Sequence, residues 1–130
     1  YEAGRGVARH DVEAVRLYRL AADQGLADAQ FNLACMYETG RGMACDDVEA
    51  VRLYRLAADQ GLAGAQCNLG WMYEDGRGVA RDDTEAARLY RLGADQGLAS
   101  AQNGLGWMYD EGRGVARDDA EAVRLYRLAA

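Results

Sequence analysis

Ala65-Gln66-Cys67-Asn68-Leu69-Gly70-Trp71-Met72-Tyr73-Glu74-Asp75-Gly76-Arg77-Gly78-Val79 sets the reading of this chain, because nearly the same run stands from Ala29 to Met43 and again from Ala101 to Val115. The tyrosines Tyr1, Tyr37, Tyr73 and Tyr109 are spaced by 36 residues, and the series Tyr18, Tyr54, Tyr90 and Tyr126 keeps the same step. A fixed period of this length marks a solenoid, in which each unit buries its apolar face only against its neighbours.

Outward from that run, each copy reads as a helix A (near 27–38, 63–74 and 99–110), a Gly-x-Gly loop and a helix B (near 47–60, 83–96 and 119–130). The fold class is therefore all-α, a solenoid of antiparallel helix pairs. The start of helix B is written in Asp46-Asp47-Val48-Glu49, Asp82-Asp83-Thr84-Glu85 and Asp118-Asp119-Ala120-Glu121: an aspartate accepts from the orphan backbone N–H groups, and a glutamate follows three residues later as in a capping box. Gly25, Gly61 and Gly97 stop helix B, and the pairs Gly4/Gly6, Gly40/Gly42, Gly76/Gly78 and Gly112/Gly114 shape the A-to-B loop. Gly70 and Gly106 lie inside helix A, where Ala34 stands in the other copy, and permit close helix approach at about 1 kcal/mol of lost propensity.

The opening Tyr1 to Arg9 reads as the tail of a truncated unit with Gly4-Arg5-Gly6-Val7 as its loop. A helix from Asp11 to about Asp23 follows, with Ala14, Leu17, Tyr18, Ala21 and Ala22 at helical spacing. His10 takes the cap position there, with Asp11 as a less exact substitute. The expected units are 1–25 (partial), 26–61, 62–97 and 98–130 (lacking its last residues) within a single solenoid.

With 130 residues, half of them apolar, the chain can build a continuous core as one domain. No window approaches the roughly 18 consecutive apolar residues of a membrane span, and the N-terminus lacks the pattern of a signal peptide. A leader lost upstream of Tyr1 is compatible with the register. Net charge is −6 and every basic residue is arginine, so there is no basic track for phosphates and nucleic acid is not an expected partner. Charges alternate along helix B, as in Glu49, Arg52, Arg55 and Asp59, which reads as a solvated face of i,i+3 and i,i+4 pairs.

Cys35, Cys45 and Cys67 form no CxxC and recur at no fixed place in the repeat, which argues against a disulfide framework and against a zinc site. Free thiols in a reducing compartment are the preferred reading, which favours the cytoplasm; a Cys35–Cys67 bridge between neighbouring repeats stays geometrically conceivable. No cofactor or metal is expected. The Gly-x-Gly loops lack the third glycine and the preceding strand of a dinucleotide site, the doubled aspartates lack the ligand spacing of a calcium loop, and a hydrolase would require a cleft of carboxylates that the sequence does not assemble.

The run from Ala63 to Gly97, Ala-x-Ala-Gln-x-Asn-Leu-Gly-x-Met-Tyr-x-x-Gly-x-Gly-Val followed by Asp, Ala, Tyr, Ala and Gly, resembles the Sel-one-like repeat (SLR), a relative of the tetratricopeptide repeat. The likeness covers essentially the whole chain. It implies a right-handed α/α superhelix that serves as a non-catalytic adaptor for protein complexes. Departures are Gly104 at the family's asparagine position, Leu17, Leu53, Leu89 and Leu125 in place of a frequent tryptophan, and the absence of the cysteine pairing of some bacterial members.

The copies agree at Ala29/65/101, Gln30/66/102, Leu33/69/105, Met36/72/108 and Tyr37/73/109, the expected core stripe of helix A. They differ at Asp28/Gly64/Ser100, Phe31/Cys67/Asn103, Asn32/Asn68/Gly104 and Cys35/Trp71/Trp107, which follow i, i+3, i+4, i+7 and so form one contiguous face roughly opposite the core. In solenoids of this kind helix A lines the concave side, so that face is the candidate groove for a protein or peptide, with Trp71 and Trp107 as anchors. Drift on a solvent face explains the same differences without a ligand. Arginine-containing partners would suit the acidic balance and the indole faces. The alternative role is a structural array with no dedicated ligand. Leu20, Leu56, Leu92 and Leu128, about 120° from the core centre at ~100° per residue, are expected to pack between consecutive B helices. Apolar positions at the two ends, Leu17 and Tyr18 at one and Leu125 and Tyr126 at the other, are expected to lack partners and to promote end-to-end self-association.

Overall fold

Helix-forming stretches alternate with glycine punctuation along the chain, and the computed structural model follows that alternation. It describes residues 2–41 and 44–130, with side chains from Val12 onward. Tyr1, Gly42, Met43 and the side chains of His10 and Asp11 lie outside the described residues. Among those described there are seven helices and no strands: α1 Glu2–Asp23, α2 Ala27–Thr39, α3 Asp47–Asp59, α4 Ala63–Asp75, α5 Asp83–Asp95, α6 Ala99–Glu111 and α7 Asp119–Ala129. Each packs on its neighbours in sequence, most extensively within the pairs α2/α3, α4/α5 and α6/α7. None of the described helices is long and apolar enough to cross a membrane.

The written caps are the built caps. Asp46, Asp82 and Asp118 each accept from the backbone N–H of the glutamate three residues on, at 3.1, 3.1 and 3.0 Å. Helix B closes with a paired motif: Gly61 (φ +89°) donates to Ala58 O and Leu62 to Ala57 O, and Gly25 and Gly97 repeat the pattern. Leu62 then opens α4 with no side-chain cap, so three residues, Gln60, Gly61 and Leu62, join one helix to the next.

One expected loop is replaced by helix. α1 runs unbroken through Gly4-Arg5-Gly6-Val7, and residue 10 falls within it rather than at a helix start. The later loops are pinned by an aspartate that both caps helix B and donates its own N–H to the tyrosine carbonyl of helix A, as Asp82 does to Tyr73 O at 3.0 Å. With histidine at that place, the aspartate that pins the later loops is missing here.

The core consists of alanines at the helix contacts and a few large side chains in between. Tyr54, Leu69, Met72, Leu105 and Met108 are the largest fully buried ones, and burying each such apolar side chain contributes about 1.5–3 kcal/mol. Leu20, Leu56, Leu92 and Leu128 are not in it. They are 39–55 % exposed, contrary to the expected packing between B helices, because Ala57 and Ala58 take the inward positions and a residue one step earlier is turned by about 100°. At the ends, Leu125 is buried (2 %) whereas Leu17 is 53 % exposed. α7 packs on α6 and α1 on α2, so the expected exposure is met at Leu17 and not at Leu125, which is covered by helix A of its own unit. Tyr126 does lose its cover, at 36 % exposed.

Candidate interaction surface

The surface in question lies on α2, α4 and α6, whose constant stripe is anchored inward. Gln30, Gln66 and Gln102 are buried, and each donates from Nε2 to a carbonyl of the preceding helix B, Ala22, Ala58 and Ala94, at 3.3–3.4 Å. Gln60 and Gln96, at the ends of α3 and α5, donate to Gln30 and Gln66 Oε1 at 2.7 and 2.8 Å. This polar ladder satisfies groups that would otherwise be costly to bury, and it fixes the rotation of helix A about its axis.

The variable face is only partly open. Asp28, Ser100 and Asn103 are exposed, Phe31, Asn32, Cys35, Gly64, Asn68, Gly104 and Trp107 are half-buried, Trp71 is 39 % exposed, and Cys67 is buried at 8 %. Cys67 therefore departs from the expected solvent-facing position. The reason is packing between successive A helices. The Phe31 ring lies where a Cβ on Gly64 would be 3.3 Å from it, and Cys67 Sγ meets Ser100 Oγ at 3.6 Å. A large residue in one copy thus faces glycine in the next, and a medium one faces serine, so part of the variation that marks this face is steric compensation.

Gly104 is explained in the same way. Asn68 Nδ2 donates to the Tyr54 hydroxyl at 3.3 Å, and that hydroxyl donates to Glu38 at 2.6 Å. At Gly104 a Cβ would stand 3.0 Å from the Tyr90 ring, which is wedged between α4 at Gly70 and α6 at Gly104. Burial pushes the Tyr54 and Tyr90 phenols well above their usual range, so both are neutral donors.

Sequence reasoning overlooked the loop arginines. Arg77 binds Asp47 through two hydrogen bonds, 3.1 and 2.8 Å, and stacks at 5.0 Å over the Trp71 ring. Arg113 repeats this with Asp83, 3.0 and 2.9 Å, and with Trp107 at 4.7 Å. The doubled aspartates thus divide the work: the first caps helix B and the second takes the arginine of the following repeat. Gly78 and Gly114 make the approach possible, since a Cβ there would sit 2.3 and 2.1 Å from the carbonyls of Asp47 and Asp83. The constancy of Arg5, Arg41, Arg77 and Arg113 between two glycines was the signal for it.

Among the described residues no cluster of His, Cys, Asp or Glu could hold a metal. The three thiols are free, and burial raises the Cys35 and Cys67 thiols above their ordinary range, away from the reactive thiolate.

The family model described as Sel1 repeat matches residues 1–26, 27–62, 63–98 and 99–130. No curated protein sequence matches the chain. Among solved structures the chain is similar to c5321, described as a protective antigen present in uropathogenic Escherichia coli strains displaying an SLR fold, with a TM-score of 0.88 and 42 % identity over 91 % of this chain and 25 % of that one. It is also similar to a Sel1 repeat protein from Oxalobacter formigenes, with a TM-score of 0.85 and 40 % identity over 91 % of this chain and 49 % of that one. The chain thus spans a quarter and about half of the lengths of these two proteins.

Proposed function

The chain belongs to the Sel1 repeat family, and from that premise we propose that it is a non-catalytic scaffold whose helix A surface docks a protein or peptide. Sel1 repeat proteins generally serve as protein-interaction scaffolds. The observation that carries the reading is Trp71, an indole 39 % exposed on α4, on the same face of the helix A series as the exposed Ser100 and Asn103 of α6, whereas Tyr54 and Tyr90 of the repeat core are buried. Exposed aromatics of this kind act as interface anchors. The net charge of −6 favours a basic, arginine-containing segment as the partner. Arg77 already covers one face of Trp71, so a partner arginine draws on the carboxylates and on the remaining ring surface.

Affinity capture with the wild type, Trp71→Ala, and a Ser100→Arg/Asn103→Arg double variant tests this. Both variants should keep their helicity and lose a captured partner, the alanine change by about 2 kcal/mol or more. Retention of the partner by both would defeat the groove.

The second reading, a structural array without a dedicated ligand, draws on the intramolecular stacking of both tryptophans and on the compensating Phe31/Gly64 and Cys67/Ser100 contacts. It expects Trp71→Ala to lower stability and leave every captured protein in place. For self-association, α7 offers Val123 and Tyr126, both exposed, where Val51 and Tyr54 of α3 are buried. A second copy of the 130-residue chain is the occupant we propose for that face; light scattering across a hundredfold concentration range should show association, and a strict monomer would overturn it.

A further inference from the structure

Trp71 and Trp107 are the two tryptophans of the chain, and they hold the same place on α4 and α6. Those helices are close neighbours: Cys67 Sγ meets Ser100 Oγ at 3.6 Å, a contact of packed helices about 10 Å apart. Two indoles therefore recur along the helix A surface at roughly that step. Both rings are held in place. Arg77, tied to Asp47, stacks at 5.0 Å over Trp71, and Arg113, tied to Asp83, stacks at 4.7 Å over Trp107. Each guanidinium takes one face and leaves the rest of a ring whose orientation is already set. No acceptor among the described residues takes the indole N–H of Trp107, and no buried polar side-chain atom there goes unpaired, so this donor reaches solvent. One turn beyond the indoles Asp75 and Glu111 hold equivalent places, and both are exposed.

We propose that this pair of indoles binds a proline-rich segment of a partner protein in the polyproline II conformation, with prolines three residues apart on Trp71 and Trp107 and arginines reaching Asp75 and Glu111. This rests on the protein-docking reading and names the chemistry of the docked segment. A polyproline II helix advances ~3.1 Å per residue with three residues per turn, so residues i and i+3 lie ~9.3 Å apart on one edge. That step matches the spacing of the two A helices, whereas an extended strand returns to one side every ~6.6 Å. A helical ligand, with residues i and i+7 ~10.5 Å apart, meets the same step, but its carbonyls are bonded within itself. Those of polyproline II are open and can accept the N–H of Trp107. Proline presents a flat apolar ring with φ already fixed, so it loses little entropy on docking, and aromatic-lined grooves take such segments for that reason. The net charge of −6, with Asp75 and Glu111 beside the indoles, selects arginine for the positions between the prolines.

The test titrates an acetylated and amidated peptide of four Pro-Pro-Arg repeats into the 130-residue chain and follows tryptophan emission, which Trp71 and Trp107 alone supply. A peptide of four Gly-Gly-Arg repeats, equal in charge but a flexible coil, is the control. The proline peptide should give a saturable change with a dissociation constant on the order of 10⁻⁴ M, as suits a short ligand on an open surface, and the glycine peptide should bind roughly fivefold more weakly or worse. Asp75→Asn/Glu111→Gln should weaken the proline–arginine peptide about three- to tenfold and leave oligoproline of the same length unaffected. Trp71→Ala should weaken both by about tenfold or more. Equal binding of the proline and glycine peptides would mean attraction by charge alone and would overturn the proposal. So would the absence of a saturable change, or a folded Trp71→Ala that binds as the wild type does. Should that variant fail to fold, the two peptides on the wild type decide alone. A protein captured through Trp71 by a segment without proline would sustain the docking reading while this one fell.

Discussion

Asp83 and Asp119 occupy the same place in successive repeats and differ in one partner, which makes them a built-in control for the bond that joins repeats. Each is the first residue of its helix and each pairs with the arginine two residues before it, Arg81 at 3.2 Å and Arg117 at 3.2 Å. Only Asp83 also receives the two hydrogen bonds from Arg113. That pair is bidentate, with side chains 27 % and 23 % exposed, and its guanidinium is held over Trp107. Surface pairs contribute up to about 1 kcal/mol and hydrogen bonds to charged groups somewhat more, so ~1–1.5 kcal/mol is the expected contribution across the repeat boundary. Asp83→Ala should therefore lower the melting temperature by roughly 4–6 °C more than Asp119→Ala does, for a chain of this size. Thermal and urea unfolding followed by circular dichroism measures it, and a double-mutant cycle with Arg113→Ala removes the local losses at each position. The excess should shrink in 1 M salt. Equal losses for Asp83→Ala and Asp119→Ala would refute the reasoning.

The same pair carries a pH signature. The Arg113 guanidinium, ahead of Arg81, holds the Asp83 carboxyl below its ordinary range, so the folded-state value is the lower one; the stability it contributes is complete above about pH 4 and is lost as pH falls through the depressed value, and the difference between wild type and Asp83→Asn should narrow there. Gly97 and Gly114 both have positive φ, +86° and +72°, yet a Cβ at Gly97 meets nothing within 4 Å while one at Gly114 meets Asp83 O at 2.1 Å. Gly97→Ala should thus cost about 1 kcal/mol and Gly114→Ala at least twice that in denaturant unfolding, since only the second forces the backbone apart. With free thiols, all three cysteines should titrate after denaturation without reductant, Cys45 should react first in the native state, and reductant should leave the melting temperature unchanged.

The sequence alone determined the period, the helix pairs and their caps, because these depend on short-range chemistry that recurs every 36 residues: an aspartate before an N-terminus, a glycine after a C-terminus, apolar residues at helical spacing. It also marked Trp71 and Trp107 as unusual. Tertiary structure decided what the marked residues do. Whether a difference between copies reflects recognition or packing depends on which residue of the neighbouring repeat lies across from it, and only the folded chain brings Phe31 onto Gly64, Cys67 onto Ser100 and Arg77 between Asp47 and Trp71. The continuous α1 has the same lesson, since the later Gly-x-Gly motifs are held as loops by an aspartate that residue 10 does not supply. Contacts some 30 residues apart in sequence have no local signature beyond the constancy of their two ends, so the staple between repeats became visible only when the solenoid closed the distance.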